Sequence, residues 1–143
     1  MTKTPIHLWI VGILSLLWNI GGAMDYVMTR MDDATYLAQQ PAARLMMIEQ
    51  APSWFGLTWA LGVWFSVIGS ILLLLRSRFA GSAFAISIIG LIGSSIYTYG
   101  ISEGGSMLAS ASTVAIVFTI AIPLILVALW FYARAMTQQG VLR

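Results

Sequence analysis

Long apolar runs separated by short polar breaks dominate the chain. Four runs, at about 6–28, 55–75, 79–101 and 111–133, each exceed or match the roughly 20 residues that a helix needs to cross about 30 Å of hydrocarbon. The breaks "RSRFAGS" and "SEGGSMLAS" leave room only for tight reversals, so consecutive runs are expected to lie antiparallel. Only the segment at 29–54 is long. The pattern predicts an all-α membrane protein, a four-transmembrane-helix antiparallel bundle forming a single membrane domain over 1–143. The first run follows Lys3 and contains "GGA", as secretory signals do, but it is longer than their apolar core of about 7–15 residues. It is read as a true span.

Inside the runs the small and polar residues are ordered. Gly12, Ser15, Asn19, Gly22 and Tyr26 recur at spacings of three and four, which puts them on one helix face. Gly62, Ser66, Gly69 and Ser70 repeat the device in the second run, and Gly90, Gly93, Ser94 and Tyr97 in the third. Such faces let helix backbones approach closely in lipid, where van der Waals contact and interhelical hydrogen bonds supply the cohesion. Pro123 in the fourth run removes a backbone donor and frees the Thr119 carbonyl, so a kink is expected there. Trp9, Trp54, Trp130 and Tyr132 fall near run ends, as in aromatic interface belts.

The stretch "LLWNIGGAMDYVMTR" poses the functional question. Asn19 lies mid-span, where its amide must find a partner or remain unsatisfied in hydrocarbon. Asp25 lies about one turn from the span's end, and Glu103 sits at the equivalent depth of the third span. Ser15, Asn19, Asp25, Tyr26, Tyr97, Tyr99 and Glu103 are therefore candidates either for a polar path or for contacts between helices. The packing reading is the plainer one. Matching Gly12 with Gly90 and Asp25 with Glu103 hints at a duplicated hairpin, but the second and fourth runs do not keep the offset.

The long break reads as structured. Asp32 or Asp33 is placed to cap a helix, and Pro41 stands at a favoured first-turn position of another. In the second of these, Leu45, Met46 and Ile48 are apolar while Arg44 and Glu49 are charged, a pattern suited to lying on the membrane surface or capping the bundle.

Composition agrees with the pattern: 59% of residues are hydrophobic and 8% charged, against about a quarter charged in soluble domains. Lys3, Arg76, Arg78, Arg134 and Arg143 fall on one side of a four-span arrangement. Arg30, Arg44 and all five acidic residues fall on the other. Basic short loops stay inside, so both termini are expected in the cytoplasm and the 29–54 segment outside. The net charge of +2 is an orientation signal and forms no basic stripe for nucleic acid. Without cysteine there is no thiol or disulfide chemistry, and the one histidine, His7, offers no haem or metal pair. No catalytic, cofactor or metal residues are expected.

The runs "LLWNIGGAMDYVMT", "YLAQ", "PSW", "WALGVWFSVIGSILLLLRSRFA" and "SIIGLIGSSIYTYG" together resemble a family of small four-span bacterial inner-membrane proteins of unestablished function, some of them automatically labelled "sugar transporter". The resemblance covers about the first 100 residues and implies an inner-membrane four-helix bundle. Small multidrug exporters share the size and span count but carry a glutamate well inside span one, where 14–19 here reads "LSLLWN". Two functions follow as expectations. One is a non-catalytic accessory or structural protein, a subunit of a larger membrane complex or a self-oligomer packing through its Gly and Ser faces. The other is a carrier for a small solute with a path near Asn19, Asp25 and Glu103. The absence of a charge deep in the bilayer favours the first.

Overall fold

A computed structural model describes residues 3–143. Four long helices carry the fold: α1 (Ile6–Arg30), α4 (Ser53–Leu74), α5 (Ala80–Ser95) and α7 (Thr113–Gln138). Between α1 and α4 lie α2 (Ala34–Leu37) and α3 (Ala42–Glu49). A π-helical turn (Ile96–Ile101) prolongs α5, and α6 (Gly104–Ala109) precedes α7. All four long helices, α5 taken through its π turn to Ile101, are long and apolar enough to cross a membrane. No strand occurs among the described residues.

The helices alternate in direction, and one hydrophobic cluster demonstrates it. Leu8 from the start of α1 packs with Leu73 from the end of α4, Ala80 and Phe84 from the start of α5, and Ala133 and Met136 from the end of α7. That end, which carries the α4–α5 turn, is called the turn end below. The opposite end carries α2, α3 and α6 and is called the lid end.

Helix ends follow local chemistry. Gly140 at φ 71° closes α7, with the Val141 N–H donating to the Met136 carbonyl at 2.9 Å, a Schellman stop. Non-glycine residues make the same turn after α4 and α1: Arg76 at φ 57° and Asp32 at φ 52°. There the N–H groups of Ser77 and Asp33 donate to the Leu72 and Met28 carbonyls at 2.8 and 3.1 Å. Helix α7 runs five residues beyond the expected 133 because "RAMTQ" contains no breaker before Gly140. It continues through Pro123 as one helix. After it, Val141 and Leu142 fold into the turn-end core. The Arg143 N–H donates to the Arg76 carbonyl at 2.8 Å and the Arg78 N–H to the Arg143 carbonyl at 3.0 Å.

Small residues set the interhelical distances. A Cβ on Gly90 would stand 2.6 Å from the Thr58 carbonyl oxygen and 2.9 Å from the Gly62 Cα, so α4 and α5 touch backbone to backbone. The Ser87 hydroxyl donates to the Gly62 carbonyl across the same contact. Gly69 admits the Phe84 ring, Gly93 the Thr58 side chain, and Gly12 the Leu74 side chain. Gly22 departs from the expected packing face: it is exposed and a Cβ there would meet nothing within 4 Å. Leu8, Gly12, Ser15, Asn19 and Ala23 form the buried row of α1, and Gly22 lies at its edge because Ala23 takes the inward position.

Candidate functional site

Two polar clusters stand out, and both begin in α1. The first is centred on Asn19, only 8% exposed. Its amide nitrogen donates to the Ser66 carbonyl at 3.1 Å and to the Ser70 hydroxyl at 2.9 Å. The Ser70 hydroxyl in turn donates to the Ser66 carbonyl at 3.2 Å. Four-residue spacing stacks Ser66 and Ser70 on one face of α4, where one amide reaches both. Ser15 closes locally instead, donating to the Gly12 carbonyl at 3.0 Å. The cluster is a three-residue clamp between α1 and α4, with both amide hydrogens placed.

The second cluster lies at the lid end around Asp25. The Arg44 guanidinium meets its carboxylate through one nitrogen at 2.8 and 3.0 Å, and the Tyr36 hydroxyl donates to the same carboxylate. Another Arg44 nitrogen donates to the Gln40 side-chain oxygen at 2.6 Å. Local structure aims these groups. The Asp33 side chain caps α2 by accepting from the Tyr36 N–H at 2.8 Å, and α3 starts at Ala42 directly after Pro41, which sets Arg44 in its first turn. Burial, then the hydrogen bond to Asp25, pushes the Tyr36 phenol above its usual value of 10.0. The hydroxyl thus stays a donor throughout the neutral range. Asp25 is tied to the lid segment by two side chains, and this pairing occupies its carboxylate.

The other expected residues are scattered. Tyr26 packs edge-on against Trp59, with ring centroids 4.9 Å apart, and the Arg30 guanidinium lies 5.7 Å from the Tyr26 ring centre. Tyr97 is buried in the π turn and donates to the Met47 carbonyl of α3 at 2.9 Å, holding the lid from its other side. Tyr99 is 46% exposed. Glu103 precedes α6, and its carboxylate makes no hydrogen bond or ion pair among the described residues. The structure therefore joins Asn19 to span two and Asp25 to the lid, and links neither to Glu103. Thr119 donates to the Ala115 carbonyl at 2.9 Å and does not serve its own freed carbonyl.

Tyr36, Gln40 and Arg44 are the partners that the sequence pattern did not single out. The only signal was chemical: an acid near a span's end needs a counter-charge, and Arg30 and Arg44 are the only basic residues on that side. No group of three or more His, Cys, Asp or Glu side chains suited to a metal occurs among the described residues. Two open concavities, of about 280 and 320 Å³, lie at the turn end and involve neither polar cluster. No family model, no curated protein and no solved structure matches the chain.

Proposed function

We propose that the chain is a non-catalytic integral protein of the bacterial inner membrane, acting as an accessory subunit of a larger membrane complex or as a homo-oligomer. The observation that carries this reading is the Asn19 clamp: the amide deepest in the bilayer is spent on Ser66 and Ser70. The Asp25 carboxylate is similarly committed to Arg44 and Tyr36. A carrier needs such groups free to exchange partners with a solute. On this reading both termini lie in the cytoplasm; the positive-inside rule supports it, since Arg76, Arg78, Arg134 and Arg143 gather at the turn end and the acidic residues at the lid end. The resemblance noted in the sequence implies the same membrane.

Helix α7 offers the surface for a partner or a second copy. Only 11% of its most apolar stretch is buried, and its lid-end half presents Val114, Val117, Phe118, Ile120 and Leu124 outward. Purification from the native membrane in mild detergent, followed by native mass spectrometry, tests the proposal. A stoichiometric complex with a larger membrane protein, or a self-oligomer, is expected. A monomer that carries out saturable solute flux in proteoliposomes would overturn it and establish the carrier reading.

A further inference from the structure

At the turn end an open groove between α5 and α7, of about 320 Å³, is lined by Arg78, Ser82, Trp130, Arg134, Thr137 and Gln138. We propose that this groove binds the phosphate headgroup of an anionic phospholipid.

Charge comes first. Among the described residues neither Arg78 nor Arg134 has a carboxylate partner, the one ion pair being Arg44 with Asp25 at the far end of the bundle. Two uncompensated guanidiniums in one groove present planar sets of N–H donors suited to phosphate oxygens. The Ser82 hydroxyl and the Gln138 amide, both exposed, make no bond within the described chain and add neutral donors beside them.

Contacts on both helices position the two cations. The Arg134 stem crosses α5 at Gly81, where a Cβ would stand 3.7 Å from its Cγ, and its guanidinium lies 4.9 Å from the centre of the Trp130 ring. The Arg78 backbone is fixed by the bond from its N–H to the Arg143 carbonyl, and its guanidinium lies 5.3 Å from the centre of the Phe79 ring. Aromatic rings under both cations favour the membrane interface, the depth at which a headgroup sits. Above the groove, toward mid-membrane, Ile86, Val127 and Phe131 are exposed and apolar, a surface for the acyl chains of the same molecule. A free phosphate would use the guanidiniums but not this apolar surface, which is why a lipid is the ligand inferred. Basic pockets between spanning helices hold anionic headgroups in this way. The inference is independent of whether the protein is an accessory subunit or a carrier.

The test measures thermal stabilisation of the detergent-purified full chain by short-chain phosphatidylglycerol, by phosphatidylcholine of equal chain length, and by inorganic phosphate. Stabilisation by phosphatidylglycerol alone is expected. The double variant R78Q/R134Q should weaken its apparent affinity roughly thirtyfold, as loss of two interfacial charges implies. Neither side chain makes an ion pair, and loss of the two exposed ring contacts should lower the variant's melting temperature without lipid by only a few degrees, the baseline from which its lipid response is read. The single variants, each weakened about fivefold, report independently should the double variant fold poorly. Equal stabilisation by phosphatidylcholine, an undiminished response in the variants, or an equal response to inorganic phosphate would overturn the proposal, the last by making this a simple anion site.

Discussion

Gly90→Val is expected to lower the stability of the bundle more than any other single small-residue change in the membrane spans. A Cβ at this position meets the Thr58 carbonyl oxygen and the Gly62 backbone, and neither can rotate away as a side chain can. Two helices held backbone to backbone must separate by more than an ångström, which also breaks the Ser87 bond to the Gly62 carbonyl. Overpacking of this kind costs about 3 kcal/mol. For a chain of this size the melting temperature should fall by about 10 °C. The matched control is Gly21→Val, also on a long helix but exposed with nothing within 4 Å; it should change the melting temperature by no more than a degree or two. Thermal unfolding in detergent checks both. Similar behaviour of the two variants would mean that α4 and α5 do not touch as described.

Asn19→Asp is expected to have an effect of comparable size, with Asn19→Leu well below it. Leucine has nearly the shape of asparagine and forfeits two interhelical bonds, each worth about 0.6 kcal/mol in a membrane bundle. The aspartate replaces a donor by an acceptor directly opposite the Ser66 carbonyl, and a charge at mid-membrane costs about 3 kcal/mol. The Ser70 bond to the Ser66 carbonyl, internal to α4, survives in the leucine variant, so neither serine group is left without a partner there. Folded yield and melting temperature should therefore rank wild type, then leucine, then aspartate. Retained stability in Asn19→Leu with loss of a measurable solute flux would show that the amide serves a substrate instead.

The spans were legible because each element crossing a bilayer needs a long uninterrupted apolar run, and nothing else in the chain resembles one. The helix faces were legible for a similar reason: Gly62, Ser66, Gly69, Gly90 and Gly93 keep helical spacing and all lie against neighbours. Gly22 keeps the spacing too, yet points outward, because a three-and-four rhythm defines a stripe wider than the contact itself. The Asp25–Arg44 pair joins residues 19 apart through a turn at Asp32 and two short helices. Its existence depends on how the lid folds back, which no local pattern encodes. The π turn at Ile96–Ile101 and the burial of Val141 and Leu142 are likewise products of tertiary packing, and their short sequences carry no periodicity to read.

If the polar residues within the spans serve to fasten helices to one another, as proposed, they line no aqueous path. The chain contains no cysteine, so one introduced thiol is a unique reporter. Ser70→Cys, at a position 0% exposed within the Asn19 clamp, would be probed with a membrane-impermeant thiol reagent added from each side of the membrane in turn. Ser106→Cys at the lid end and Ser82→Cys at the turn end, both exposed, are the controls. Each control is expected to react from one side only, the two from opposite sides, and Ser70→Cys from neither while keeping its folded yield. Labelling of Ser70→Cys at a rate comparable to either control would contradict the proposal, since water would then reach the middle of the bundle.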